Sequence, residues 1–382
     1  MRLCIDASNI RAGGGITHLS EMLRAAQPDK YGMREIVVWS GKYTLARLPK
    51  RPWLRLLHEP LLDGPLVKRL YWQAVKLSQL AENYDLLFVP GGTYLGTFTP
   101  FVAVSQNLFP FEPQERRRFG LSWSRLRLTL LEKLQAVTFQ RAAGAIFLTE
   151  TARQVVEQRI GHLPDKIAIV PHGVSDHFRL EPRVQRPLSV YSLNRPFRWL
   201  YVSIVDLYKH QWHVAEAVAK LRLKGIPIAL DLVGPSRSRG LRRLRKVMRH
   251  IDPAGRYICY HGLVPYSELA SFYHQADGFV FASSCENMPN ILLEAMAAGL
   301  PIACSNRGPM PEILGGAGVY FDPEDPSEIA GALYTLMMAP DKRERYAWAA
   351  YEQAQQYSWE RCARETLAFL AEVAENSFKC VP

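Results

Sequence analysis

Short runs of apolar residues recur along the chain, each ended by polar or glycine-bearing residues and followed by a longer stretch with helical spacing. That alternation is the pattern of βαβ units, whose parallel strands are buried on both faces and so read as continuous apolar runs. In the first half it predicts strands at 3–6, 36–39, 86–89, 101–105, 145–148 and 167–170. In the second half it predicts strands at 199–203, 228–233, 258–261, 278–281, 301–304 and 318–321. Between the halves, 181–196 carries Pro182, Pro187 and Pro196 without helical periodicity and reads as a linker. The fold class is therefore α/β, with two doubly wound domains at 1–183 and 184–358.

Such sheets bind ligands in the loops beyond the carboxyl ends of their strands, and three of these loops carry candidate chemistry. After the first strand, Gly13, Gly14 and Gly15 open a helix; glycines there let the backbone approach a phosphate, and a tight turn would use them equally well. After strand 199–203, Ser203 leads to Lys209 at the mouth of a helix, a point charge suited to a diphosphate. After strand 278–281, Glu286-Asn287-Met288-Pro289-Asn290 enters a helix at or next to Pro289, which places Glu294 about one and a half turns inside. A carboxylate before the helix can accept from sugar hydroxyls, one on the helix can hold a ribose, and the amides between them face phosphates.

Composition narrows the class. At 382 residues, 48% hydrophobic and 22% charged, the chain is too long for one ordinary core and has no apolar run long enough to span a membrane. Its start, Leu3-Cys4-Ile5-Asp6, reads as a strand rather than an export signal, and the six cysteines lack close pairing and read as reduced core thiols, so a cytoplasmic location is expected. The formal charge of +11 is clustered. Segment 116–133 holds Arg116, Arg117, Arg118, Arg125, Arg127 and Lys133 against Glu132, interleaved with Phe119, Leu121, Trp123, Leu126, Leu128 and Leu130. That combination suits an anionic membrane surface, such as the inner face of the cell membrane. A second cluster from Arg237 to Arg256 reads as a solvated helix face. Nothing resembles a recognition helix or a stacking sheet, so no nucleic-acid partner is expected.

The run from Gly278 through Glu286, Glu294, Gly299 and Pro301 to Gly308-Pro-Met-Pro-Glu312 resembles the signature of retaining glycosyltransferase family 4. Gly14-Gly15, Val170-Pro-His172-Gly173, Leu232-Val-Gly234-Pro, His261-Gly262-Leu263-Val264-Pro265 and Tyr357-Ser-Trp359 extend the likeness over almost the whole chain. The resemblance implies the GT-B architecture: two Rossmann-like domains facing a central cleft, the first for acceptor and the second for nucleotide sugar, with a last helix in 359–382 crossing back to the first. It further implies Glu286 at the donor sugar, Glu294 at the ribose, Lys209 with the Gly14 and Gly15 amides at the diphosphate, and Leu263 and Val264 beside the base. Ser203, Gly234, Asn287, Met288, Pro289 and Asn290 complete the implied donor site. Transfer with retention and without a bound metal or other cofactor is implied as well, in keeping with a sequence that has no Asp-x-Asp triplet.

Two positions depart from the family pattern. The arginine expected five residues before Lys209 is Ile204, so a second phosphate cation either comes from elsewhere, with Arg195 and Arg198 as candidates, or is absent. The histidine expected after a first-domain strand is replaced in the segment Ser105-Gln106-Asn107, so Asn107 and His172 stand as candidates beside the reacting carbon. The expected activity is transfer of a hexose or deoxyhexose, with GDP-mannose or GDP-rhamnose favoured, to a glycan or lipid-linked glycan of a bacterial surface polysaccharide of the O-antigen type. An epimerase or phosphorylase of the same fold, and a basic nucleic-acid or membrane-binding protein, are the alternatives.

Overall fold

A computed structural model of the chain describes residues 1–11 and 13–379, the side chains of Phe378 and Lys379 excepted. The chain divides into two compact units, Met1–Gly173 together with Ser358–Pro382, and Val174–Tyr357. The first change of unit thus comes ahead of the proline-bearing stretch 181–196, in which a single 3-10 turn forms at Leu188–Val190.

The first unit is built on seven parallel strands, β1 (Arg2–Asp6), β2 (Glu35–Ser40), β3 (Leu54–His58), β4 (Leu86–Val89), β5 (Phe101–Ser105), β6 (Gly144–Phe147) and β7 (Ile167–Ile169), in the order β3-β2-β1-β4-β5-β6-β7. The second holds six, β8 (Phe197–Val202), β9 (Ile228–Val233), β10 (Ile258–Gly262), β11 (Gly278–Phe281), β12 (Ile302–Ser305) and β13 (Gly318–Phe321), in the order β10-β9-β8-β11-β12-β13. Both orders run outward from the unit's first strand and then restart beside it, between β1 and β4 and between β8 and β11. Those two reversals are where an open α/β sheet leaves a crevice for a ligand.

The strand missing from the apolar pattern is β3. It is an edge strand on which only Leu54 is buried, so no buried run marks it, and Pro52 and Pro60 flank it. The expectation of core thiols is corrected at one position: Cys259 is exposed on the edge strand β10, whereas Cys4, Cys285, Cys304 and Cys362 are buried. Cys380 lies outside the described residues.

Helix α1 (Gly14–Ala25) leaves β1, and α2 (Trp123–Arg141) covers the β5–β6 crossover. In the second unit α3 (Gln211–Leu223) follows β8, α4 (Ser238–Ile251) follows β9 and α5 (Asn290–Ala297) follows β11. The final helix α6 (Trp359–Lys379) belongs to the first unit and packs on α1. Among the described residues no helix is long and apolar enough to cross a membrane.

Helix α2 carries most of the apolar residues of 116–133 outward, Leu128 excepted, which is buried. Its apolar stripe faces outward: Trp123, Leu126, Leu130 and Val137, at helical spacing, are all exposed, and Leu121 just before them is fully so. Arg116 is instead buried against Glu132 at 2.6 Å, and Arg118 pairs with Glu115 at 2.7 Å, so those two arginines serve the fold.

Candidate active site

At the strand-order reversal of the second unit, the exits of β8 and β11 meet. The β8 exit makes a turn in which Lys209 N donates to Asp206 O at 3.1 Å, and the Tyr201 hydroxyl donates to Lys209 O at 2.5 Å. His210 then takes the left-handed conformation, φ 51°, to enter α3, and its Nε2 meets Ser284 Oγ at 3.0 Å. The β11 exit is tied to this loop through Ser284 N, which donates to Tyr208 O at 2.9 Å. The joined loops bury Lys209 to 4% exposure and bring its Nζ into an ion pair with Glu286 Oε1. The same ammonium lies 4.9 Å from the Tyr208 ring centroid and 5.3 Å from that of Phe281. Burial, and then the Glu286 charge, push the Tyr201 and Tyr208 hydroxyls well above their usual range, so both are neutral donors.

Helix α5 begins one residue beyond Pro289, whose fixed φ suits the position, and carries Glu294 inward on its second turn. Glu294 is 6% exposed, and its Oε2 accepts from the Tyr273 hydroxyl at 2.8 Å. Burial pushes its pKa up to about 7 against the opposing pull of that hydrogen bond. Asn287 and Met288 are buried between the two glutamates in sequence. On the other side, Gly234 at the β9 exit has φ 139°, and a Cβ there would lie 2.2 Å from Ser203 O. Only glycine lets these two exits pass each other. Gly234 N donates to Gly262 O at 2.8 Å, and beyond that glycine Leu263 is exposed and Val264 half-buried. The structure thus gathers Ser203, Lys209, Gly234 and Glu286 at the strand exits, with Glu294 one helix turn behind.

The other candidates lie on the first unit. Gly13 turns the chain with φ 64° and Gly14 opens α1. His172 is buried and stacks on His18 of α1 at 4.6 Å between ring centroids, with Trp359 at 5.9 Å. The Gln106 amide bonds His18 Nδ1. Burial, and then His172, hold His18 well below the usual imidazole range, so it is neutral near pH 7. Asn107 is exposed, and its Oδ1 accepts from Phe109 N at 3.1 Å, which caps a local turn. His18 is the residue that motif reading missed. Its signal was its place beside Leu19 and Met22 on the buried face of a helix that opens at a strand exit.

The structure removes one expectation. Arg195 and Arg198 lie before and at the start of β8, the opposite end from Lys209, and Arg198 is held by Asp231 through two bonds of 2.9 and 2.7 Å. Asp231, Cys259 and His261 hold their ligand-type atoms within 4.8 Å of one another, the described cluster that comes nearest to a metal-binding set. The Asp231 carboxylate is already neutralised there by Arg198, so the group reads as an ion-pair network bracing β8, β9 and β10.

The family model for glycosyl transferases group 1 matches residues 196–339. The O-antigen chain mannosyltransferase B of Escherichia coli is 36% identical over 111 residues, 29% of this chain and 29% of that protein, so the chain matches well under half of that relative's length. The D-inositol 3-phosphate glycosyltransferase of Corynebacterium kroppenstedtii is 30% identical over 370 residues, covering 80% of this chain and 79% of that one. The solved sucrose-phosphate synthase of Thermosynechococcus elongatus superposes with a TM-score of 0.77 at 17% identity, over 99% of each chain, a likeness of fold. Two Rossmann-like parallel sheets with this likeness are the GT-B fold, and identity sustained over four-fifths of a curated relative shows that the chain belongs to the group 1 glycosyl transferases.

Proposed function

We propose that this chain transfers a hexose or deoxyhexose from a nucleoside diphosphate sugar to a growing glycan, with retention at the anomeric carbon and without a metal. The observation that carries the reading is the Lys209–Glu286 pair at the strand-order reversal of the second sheet, with the buried Glu294 behind it. An ammonium has three donors, and Glu286 engages one of them, which leaves others for diphosphate oxygens. Glu286 can then turn to the sugar hydroxyls, and Glu294 to the ribose diol. With Lys209 as the buried cation, charge developing on the leaving diphosphate is stabilised where it forms. In that arrangement the bond from the anomeric carbon to the diphosphate oxygen breaks as the acceptor oxygen bonds the same face. The departing diphosphate takes the acceptor proton, so no side-chain base is required. His18, held neutral by burial, and the buried His172 stacked on it serve as hydrogen-bonding groups for the acceptor.

Mannose is the favoured sugar, supported by the likeness to an O-antigen mannosyltransferase, with GDP as its proposed carrier. Incubation with GDP-mannose and an undecaprenyl-linked oligosaccharide acceptor, followed by NMR of the product, should give an α-linked sugar from the α-configured donor. A β-linked product would overturn retention. Dependence on added Mn2+ after chelation would overturn the metal-free reading.

The outward stripe of α2 supports a lipid-linked acceptor met at a membrane surface. Trp123 is 76% exposed and Leu121 fully so, with Arg125, Arg127 and Lys133 interleaved, a combination of inserting and anion-attracting groups. Flotation with vesicles rich in phosphatidylglycerol should recover the protein. The Trp123→Ser, Leu126→Ser, Leu130→Ser variant should partition about tenfold less, the effect of roughly 1.4 kcal/mol of lost apolar insertion. Equal flotation of the two proteins would remove this surface from the account.

A further inference from the structure

Ile204 leaves the proposed diphosphate subsite with one buried cation, Lys209, for a ligand group of two negative charges or more. The β9 exit supplies a second. Arg237, the residue that precedes α4, is locked by its main chain to the Lys209 loop: its N–H donates to Val205 O at 2.9 Å, and Val205 N donates to Pro235 O at 2.8 Å. Val205 and Ser236 form an isolated parallel bridge, so the two exits run as a short extra ladder beyond the sheet. Gly240 seals the contact, since a Cβ at that position would lie 2.9 Å from both Asp206 Cα and Val205 O. The position of Arg237 relative to the loop is therefore set by backbone rather than by its own flexible side chain. The side chain is exposed, and among the described residues no carboxylate forms an ion pair with it. Its charge acts on Asp206 and Tyr208, the residues on either side of Leu207 in the loop that ends at Lys209, and Lys209 acts on Asp206 as well.

We infer that Arg237 is the second phosphate cation of the donor site, a guanidinium from the β9 exit standing in for the arginine absent at Ile204. Resting on the donor-site reading above, it adds a residue and a division of labour. Lys209 is buried and preset by Glu286, while Arg237 is exposed and free to close bidentately on the outer phosphate oxygens. The neighbouring arginines of α4 are not equivalent. Arg243, for example, lies over the Trp212 ring at 4.2 Å.

The test is calorimetric titration of the full chain with GDP and GMP, and with UDP and UMP, so that a missing base contact does not hide the result. Arg237→Gln should weaken the diphosphate that the wild type binds by about tenfold or more, while changing its monophosphate by about twofold at most. Arg237→Lys should keep most of the diphosphate preference. An Arg237→Gln variant that binds the diphosphate as the wild type does, or that loses diphosphate and monophosphate equally, overturns the assignment while leaving the donor site standing. A wild type that binds neither diphosphate overturns the donor-site reading, and this inference with it.

Discussion

Lys209→Met should lower nucleoside diphosphate affinity by about 100-fold while leaving the protein folded. Lys209 is 4% exposed, and removing its ammonium has two consequences for the ligand. The attraction to the diphosphate disappears, and Glu286, whose side chain is 14% exposed, is left as an uncompensated negative charge where the phosphates bind. Truncating one partner of a buried, hydrogen-bonded charge pair costs about 2–5 kcal/mol, and the lower half of that range, about 2.8 kcal/mol, is two orders of magnitude in affinity. The Met side chain keeps the contact with Phe281 and Tyr208, so packing is retained. Lys209→Arg should recover little, because a planar fork does not fit a site shaped around a compact ammonium. Isothermal titration reads the affinity and a thermal melt reads the fold. Unchanged affinity in a folded Lys209→Met protein would move the phosphates elsewhere.

Glu294→Gln should remove a pH dependence that the wild type shows near neutrality. With its native pKa at about 7, above the ordinary value of 4.5, the folded protein holds a proton that the unfolded chain has released. The stability from that proton is complete below about pH 4.5 and is lost as pH rises through about 7, an effect of about 3 kcal/mol. Glutamine titrates nowhere in this range, so the variant should lose this contribution to the slope and gain on the wild type at pH 8. Nucleotide binding should run the other way. An ionised Glu294 accepts from the ribose diol more strongly than a protonated one, so wild-type diphosphate affinity should rise between pH 6 and pH 8. In Glu294→Gln it should be flat and about tenfold weaker at pH 8. Denaturant melts and titrations at the two pH values check both. A wild type whose affinity does not change with pH would detach Glu294 from the ribose.

These effects rest on residues that motif reading had already brought forward, and the reason is physical. Buried parallel strands announce themselves as apolar runs, and the loops that leave them are where glycine, lysine and glutamate stand out. Where burial is one-sided the signal fails. The edge strand β3 buries only Leu54, and the edge position of Cys259 cannot be read from Ile258 and Tyr260 beside it. Nor does linear distance report which end of a strand a residue occupies. Arg198 is close to Lys209 in sequence but sits at the start of β8, where Asp231 holds it, whereas Arg237 reaches the Lys209 loop from a different strand exit. The direction in which α2 presents its leucines was equally hidden, because inward and outward apolar stripes share one periodicity. His18 escaped for a related reason: a polar residue on an apolar helix face acquires meaning only when Gln106 and His172, far away in sequence, pack against it.

The most direct test is diffraction from crystals of the full chain soaked with the nucleoside diphosphate that stabilises it most among GDP, UDP, ADP and dTDP. The account predicts phosphate density against Lys209 Nζ and the β8 exit, with the ribose hydroxyls on the Glu294 carboxylate. A nucleotide bound away from both residues, with the Lys209–Glu286 pair undisturbed, would contradict it.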